Sequence, residues 1–179
     1  LMSLSLHDSD TNKNAVIAAE SGSGKSFLLN EIIVSYLSEG AQVWVIDAGK
    51  SYKKLNEQLD GDFLQFDEAS KICLNPFELI DDWKEDEDTI SALIAAMASE
   101  KEKLSDFQMA GLKQILKRLW ETKGQAMTVD DIAAECLGHT EQRMHDIGQQ
   151  LFSFTSKGGY GQYFHGHNTM RFENPFTVL

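Results

Sequence analysis

The hydrophobic pattern changes character along the chain. In the first third, short unbroken apolar runs lie between polar or glycine-rich turns: residues 15–19 (A-V-I-A-A), Val43 to Ile46 within Q-V-W-V-I-D, and a looser F-L-Q-F at 63–66. Unbroken runs of this length are the mark of strands buried on both faces of a parallel sheet, whereas alternation marks a half-exposed strand. Between the first two runs, Phe27, Leu28, Ile32, Ile33, Tyr36 and Leu37 recur at helical spacing, which predicts a helix over Lys25 to Ser38 stopped by Gly40. Strand, glycine-rich turn, helix and strand form a βαβ unit with a right-handed crossover. That topology puts the turn at the carboxyl edge of the sheet, where ligand sites of α/β folds form. A second short helix is expected over Ser51 to Leu59 and a short strand over Phe63 to Phe66, before Asn75-Pro76-Phe77 breaks the pattern.

Beyond a charged stretch from Asp81 to Asp88, the period becomes helical throughout. Thr89 to Glu100, Ser105 to Lys123, Thr128 to Leu137 and Thr140 to Thr155 carry no intervening strand signal. Ser105 with Gln108, and Thr128 with Asp131, have the spacing of N-terminal helix caps, in which a side-chain oxygen accepts from an orphan helix N–H. Ser156 to Gly161 (S-K-G-G-Y-G) reads as a flexible turn, and Met170 to Phe172 and Phe176 to Leu179 as strands returning to the sheet. Asp8 to Asn12 reads as a loop, and no internal repeat or low-complexity segment is present.

Composition narrows the class. The chain has 179 residues, enough for one α/β domain with an appendage, and 16 Lys and Arg against 28 Asp and Glu give a formal net charge of -12. That balance argues against a strong nucleic-acid footprint, because neutralising phosphates requires clustered cations. Cys73 and Cys136 lack any C-x-x-C spacing and fit a reducing compartment. No apolar run approaches the roughly 18 residues of a membrane span, and the N-terminus has no signal-peptide core. Leu1 ahead of Met2, and Leu179 closing on an apolar run, suggest an excised fragment.

The chemistry concentrates between the first apolar run and the first helix, at Ala18 to Phe27, A-A-E-S-G-S-G-K-S-F. Gly24, Lys25 and Ser26 match the fixed end of the phosphate-loop pattern G-x-x-x-x-G-K-[ST], while Ala19 stands at its first glycine. N–H groups of Ser21, Gly22, Ser23, Gly24, Lys25, Ser26 and Phe27 are expected to converge on nucleotide phosphates at the positive end of the helix. Lys25 is the cation for the β and γ phosphates, and the Ser26 hydroxyl is placed to ligate Mg²⁺. Hydrolysis also needs an aspartate at a strand end. Asp47, after Val43 to Ile46, is the best internal candidate, ahead of Asp67 with Glu68 and of Asp81 with Asp82; a strand beyond Leu179 is the other source. No N-K-x-D guanine signature occurs, which favours adenine weakly. The chain is thus expected to form an α/β P-loop core with a mainly parallel sheet: residues 1–80 its N-terminal part, 81–156 an all-α insertion, 157–179 the return to a core left incomplete at its C-terminus.

Three other groupings are weaker. Cys136, His139 and His145, with His165 and His167, can be forced into a zinc pattern, but ordinary surface histidines explain them better. Leu112, Ile115, Leu116, Leu119 and Trp120 form an apolar stripe suited to packing within a helical block. Tyr160, Tyr163 and Phe164 fit either a partner-facing loop or a packed aromatic turn.

The order of the pieces carries a resemblance. S-G-S-G-K-S-F-L-L-N-E-I-I at 21–33, V-I-D-A-G-K-S-Y at 45–52, N-P-F at 75–77, the helical block, F-T-S-K-G-G-Y-G-Q-Y-F-H-G at 154–166 and F-E-N-P-F-T-V-L at 172–179 resemble the TraC-type conjugative-transfer ATPases, the large ATPases of type IV secretion systems. The resemblance implies a RecA-like motor core with an all-α insertion, ATP with Mg²⁺, and a place at the cytoplasmic face of the bacterial inner membrane. It also implies partnership with other type IV secretion components, a homo-oligomer at full length, and a role powering pilus assembly and conjugative DNA transfer. The family's Walker B strand lies past the region seen here, so this chain is expected to bind nucleotide without assured turnover. Asp47 in its D-x-G-x-S-Y setting is implied to orient the loop or a metal-bound water, and Arg118, Arg143 and Arg171 are arginines without an assigned role. The alternatives are a DNA translocase of the FtsK and HerA type, and a partner-docking module with a vestigial nucleotide site.

Overall fold

The structure is a computed structural model that describes residues 12–67, 70–99, 101–170 and 173–179. Its contacts divide the chain into one unit formed by Leu1–Gln65 with Phe172–Leu179 and a second formed by Phe66–Arg171. The second unit therefore takes in residues 66–80 and 157–171 together with the helical block.

In the first unit, helix α1 (Lys25–Ser38), strand β1 (Val43–Val45), helix α2 (Lys53–Gln58) and strand β2 (Asp62–Phe63) precede β3 (Phe176–Val178). The last strand in sequence lies at the centre of a parallel sheet of order β1-β3-β2, with Val43 opposite Phe176, Val45 opposite Val178, and Phe63 also opposite Val178. The ladder extends one step further through Asp47 N–H to Leu179 O (2.8 Å) and Leu64 N–H to Val178 O (2.7 Å). Ile33 of α1 with Phe176 and Val178 forms the core of this unit, and Leu37, Val43, Val45, Tyr52, Leu55 and Phe63 close around it. Gly40 ends α1 at φ 85°, a left-handed value that costs glycine nothing. Gly61 is needed for a different reason: a Cβ there would lie 2.5 Å from Asn56 Nδ2 and 2.7 Å from Phe176 O. Buried Asn56 uses that same Nδ2 to donate to Asp62 O (3.0 Å), so it pins the turn into β2.

Two strand expectations are corrected. Residues 15–19 enter no ladder among the described residues, and Val16 is 94% exposed. A buried parallel strand needs a hydrogen-bonded neighbour and cover on both faces; here β1 and β2 both flank β3, and no described segment pairs with 15–19. The third strand is Asp62–Phe63 rather than Phe63 to Phe66, because the ladder to β3 ends at Leu64 and Gln65 and Phe66 turn away exposed. Met170 is in no strand, and Arg171 and Phe172 lie outside the described residues.

The second unit is helical: α3 (Trp83–Ala98), α4 (Asp106–Lys123), α5 (Val129–Leu137) and α6 (Gln142–Gln150), with short 3₁₀ turns before α3, between α4 and α5, and after α6. The apolar stripe of α4 does pack inward, with Leu112, Ile115, Leu116 and Leu119 buried against Ile94, Ile132, Met144 and Ile147, and Trp120 stacked on Trp83 at 5.1 Å. Both expected caps form as reciprocal capping boxes, Ser105 with Gln108 and Thr128 with Asp131. The charged stretch 81–88 supplies the start of α3, which begins at Trp83 rather than at Thr89. Asp82 caps α3 through Lys84 N–H (2.8 Å), and Glu85 and Asp86 fill its first turn, where the helix dipole favours negative charge.

The S-K-G-G-Y-G turn is packed rather than flexible. Gly158 N–H donates to Thr155 O (2.8 Å), Tyr160 N–H to Ser153 O (2.9 Å), and Ser156 gives both its N–H (2.8 Å) and its hydroxyl (2.6 Å) to the Asp130 carboxylate. Phe154 contacts Tyr160 and Phe164 at 5.3 and 5.7 Å, so the aromatic residues here form a packed turn.

Candidate functional site

The loop before α1 owes its shape to two glycines and one serine. Gly22 and Gly24 have φ 81° and 93°, values that side-chain-bearing residues rarely adopt, and a Cβ at either would meet nothing within 4 Å. The glycines are therefore required by backbone conformation and leave open space above the loop. Ser23 closes the turn by donating its N–H (3.2 Å) and its hydroxyl (2.7 Å) to Glu20 O.

Gly24 is the N-cap of α1 and offers no side-chain cap, and no acidic residue occupies the first turn. The first intrahelical bond is Leu28 N–H to Gly24 O (2.9 Å), which leaves the N–H groups of Lys25, Ser26 and Phe27 without helical acceptors. An uncapped helix start with its positive dipole end exposed suits an anion. No carboxylate among the described residues pairs with Lys25, and the Ser26 hydroxyl has no hydrogen-bond partner there. Residues 19–22 and 24–27 surround an open hollow of about 580 Å³. Donors, one uncommitted cation and a free hydroxyl thus converge on space large enough for a polyphosphate, and this chemistry fits a nucleotide's phosphates with their metal.

Asp47 reaches the same edge of the sheet by topology. Only residues 39–42 join α1 to β1, so the carboxyl end of β1 and the amino end of α1 face the same way. The Asp47 carboxylate is engaged in its own loop: Oδ1 accepts from Gly49 N–H (2.9 Å) and Oδ2 from Tyr52 N–H (3.1 Å). The bridged loop holds Lys50 at φ 57°, and Tyr52 is the N-cap of α2. Burial first, and the Asp47 charge second, push the Tyr52 phenol above its ordinary value of 10.0. The Asp-Ala-Gly spelling of an Asx turn was the available signal for this arrangement.

Of the other candidate acids and arginines, Asp82, Arg118 and Arg143 are engaged elsewhere, and Arg171 lies outside the described residues. Asp67 O accepts from the Tyr163 hydroxyl (3.1 Å), Asp82 caps α3, and Glu68 lies outside the described residues. Arg118 pairs with Glu135; Arg143 donates to Glu141 (2.8 Å) and lies 4.1 Å over the Phe107 ring. Among the described residues no group of three His, Cys, Asp or Glu side chains is assembled for a metal. Cys136 is buried in α5, which pushes its thiol up to about 11, and His139 Nδ1 accepts from Glu141 N–H (3.1 Å).

His167 helps to hold a strap. Segment 163–169 lies along residues 73–78 through Leu74 N–H to Tyr163 O (2.7 Å), Thr169 N–H to Cys73 O (3.1 Å) and Asn75 Nδ2 to Gly166 O (3.0 Å). Glu78 binds its far end, accepting from Asn168 N–H (2.7 Å) and pairing with His167. Those two contacts, the Asn168 N–H foremost, hold the Glu78 carboxyl below its ordinary 4.5. A depressed carboxylate stabilises the fold fully above the ordinary value and loses that contribution as pH falls through the lowered one. The protection factor of the Asn168 amide is accordingly expected to fall as pH drops from the ordinary 4.5 of Glu78 through its lowered value, and to be reduced at neutral pH in Glu78→Ala; protection unchanged in both cases would refute the strap's dependence on Glu78.

With this geometry in hand, the decisive comparison is with a family: residues 5–138 match the TraG P-loop domain. The chain belongs to that family. This TraG P-loop domain is also 28% identical over 182 residues to Protein TraC of Escherichia coli (strain K12), an alignment that covers 95% of the chain and 20% of TraC. Its fold is that of VirB4 of Thermoanaerobacter pseudethanolicus, with a TM-score of 0.71 at 18% identity over 94% of this chain and 49% of that one. The chain thus spans about a fifth and about half of these relatives. The match confirms the α/β P-loop class read from the sequence, with its helical block between strands of a parallel sheet. No helix among the described residues is long and apolar enough to cross a membrane.

Proposed function

We propose that this P-loop domain is the nucleotide-binding part of an ATPase that powers type IV secretion, conjugative DNA transfer and pilus assembly. The observation that carries the reading is the uncapped start of α1, where Lys25 and the Ser26 hydroxyl stay uncommitted beside two left-handed glycines, in a chain of the TraG P-loop family that aligns with TraC. ATP is the proposed nucleotide and Mg²⁺ its metal. The N–H groups from Ser21 to Phe27 and the Lys25 ammonium hold the phosphates, and Ser26 supplies the protein's hydroxyl to the metal, which neutralises phosphate charge. Asp47 has a positioning role, fixing the 47–52 loop at the same sheet edge through its two backbone bonds.

The full-length protein is proposed to turn over ATP as a homo-oligomer with other secretion components at the cytoplasmic face of the inner membrane. The comparisons favour neither a DNA translocase of the FtsK and HerA type nor a docking module with a vestigial site, and the net charge of -12 works against the first. Calorimetric titration of ATP with and without Mg²⁺ tests the site. Wild type is expected to bind more tightly with the metal, and Ser26→Ala to lose most of that difference while keeping metal-free binding. A Ser26→Ala variant with the full Mg²⁺ enhancement would remove the hydroxyl from the metal's coordination.

A further inference from the structure

We infer that Phe27 is the aromatic wall on which the nucleotide's base stacks, so that the start of α1 recognises the presence of a base as well as the phosphates. The inference rests on the nucleotide reading of residues 21–27. Phe27 is 71% exposed, although its ring is among the most costly side chains to leave in water. Its place on the helix explains the exposure: Glu31, Val34 and Ser38, which share its face at helical spacing, are exposed too, while the core-facing residue of α1 is Ile33. Phe27 is therefore at no core position of this unit.

It does line the phosphate-loop hollow, as the one aromatic side chain among residues that are otherwise small or charged. Side chains on an α-helix lean toward its N-terminus, which carries the ring from the first turn toward the loop. The Phe27 N–H is the third free donor of that turn, so the backbone of this residue addresses phosphate while its side chain addresses what extends beyond the phosphates. Every nucleobase offers a π-face, so stacking on a phenyl ring is tolerant of base identity. Such a contact fits a chain with no guanine signature: base identity is left unread by Phe27, and the base is worth affinity in general.

Affinities of wild type, Phe27→Ala and Phe27→Trp for MgATP, MgGTP and magnesium tripolyphosphate separate the possibilities. Phe27→Ala is expected to weaken ATP and GTP alike, by roughly 5- to 100-fold, and to leave tripolyphosphate unchanged; Phe27→Trp is expected to retain nucleotide affinity. ATP affinity indifferent to Phe27→Ala, or an equal loss for tripolyphosphate, overturns the stacking role alone. Wild type binding neither ATP nor tripolyphosphate overturns the nucleotide reading and this inference together. Thermal unfolding of Phe27→Ala is expected to match wild type, since the ring contributes nothing to the core.

Discussion

Replacing Lys25 with alanine is expected to lower MgATP affinity by at least about tenfold, and by a hundredfold if the ammonium bridges two phosphates, since contacts to charged groups are each worth roughly 1.5–3 kcal/mol. The size follows from how little else Lys25 does. It is the first residue of α1, exposed, with no carboxylate partner among the described residues, so its charge is not spent inside the fold. Alanine is a better helix former than lysine and leaves the backbone N–H groups of the loop in place. The variant should consequently retain its helical circular dichroism and its melting temperature while losing nucleotide. Calorimetry or equilibrium dialysis with ATP reads the result. Unchanged affinity would remove the assignment of 21–27 as the nucleotide site. Parallel loss of affinity and of melting temperature would instead mean that Lys25 serves the fold. Unlike Phe27→Ala, Lys25→Ala is expected to weaken tripolyphosphate as much as ATP, which keeps the phosphate and base contributions apart.

Gly161→Ala should be strongly destabilising in the helical unit, as should Gly158→Ala, whose Cβ would lie 2.2 Å from Phe152 O and 2.3 Å from Ser153 O. A Cβ at Gly161 would lie 2.1 Å from Thr155 O, 2.9 Å from Thr155 C and 3.1 Å from Ser156 Cα, all backbone atoms that no side-chain rotation can move aside. Overpacking of this kind costs about 1–3 kcal/mol, and a clash with fixed backbone belongs at the upper end; for a chain of this size that lowers the melting temperature by roughly 5–10 °C. The neighbouring Gly159 is the control, because a Cβ there meets nothing within 4 Å and its φ is not left-handed. Gly159→Ala is expected within about 0.5 kcal/mol of wild type. Equal melting temperatures for the two variants would contradict the close approach of 155 and 161.

Much of the local structure was legible from residue types alone. The helix Lys25–Ser38 follows from the spacing of Ile32, Ile33, Tyr36 and Leu37 between two glycines, and its observed bounds are those expected. Ser105 with Gln108 and Thr128 with Asp131 announce their capping boxes, because the chemistry of a helix start is confined to four consecutive residues. The phosphate loop was legible for the same reason. Its donors, cation and hydroxyl are contiguous, and the two glycines that show left-handed φ are the two in its spelling.

What failed depended on residues distant in sequence. Residues 15–19 have the composition of a buried strand, yet burial needs a partner strand and cover, which composition does not contain. The first helix of the block was expected from Thr89 but begins at Trp83, because the charged run hides the helical period and Asp82 sets the start. S-K-G-G-Y-G looked mobile because glycine is used both for freedom and for close approach, and only the positions of Thr155 and Phe152 distinguish the two. Asp47 was placed at a strand end correctly, while its bonds to Gly49 and Tyr52 became visible only with the loop folded.

The sequence by itself determined the elements whose stabilising contacts are local: the helices, their caps and the glycine turn that leads from Ser21 into α1. Tertiary structure alone decided that Phe176–Val178, the last strand in the chain, occupies the centre of the sheet between β1 and β2, because strand order is set by non-local hydrogen bonds and shared burial. It also decided that Phe27, apolar and on a helix, faces the phosphate-loop hollow rather than the core. A helical period shows which residues share a face; the neighbours that bury or expose that face come from elsewhere in the chain.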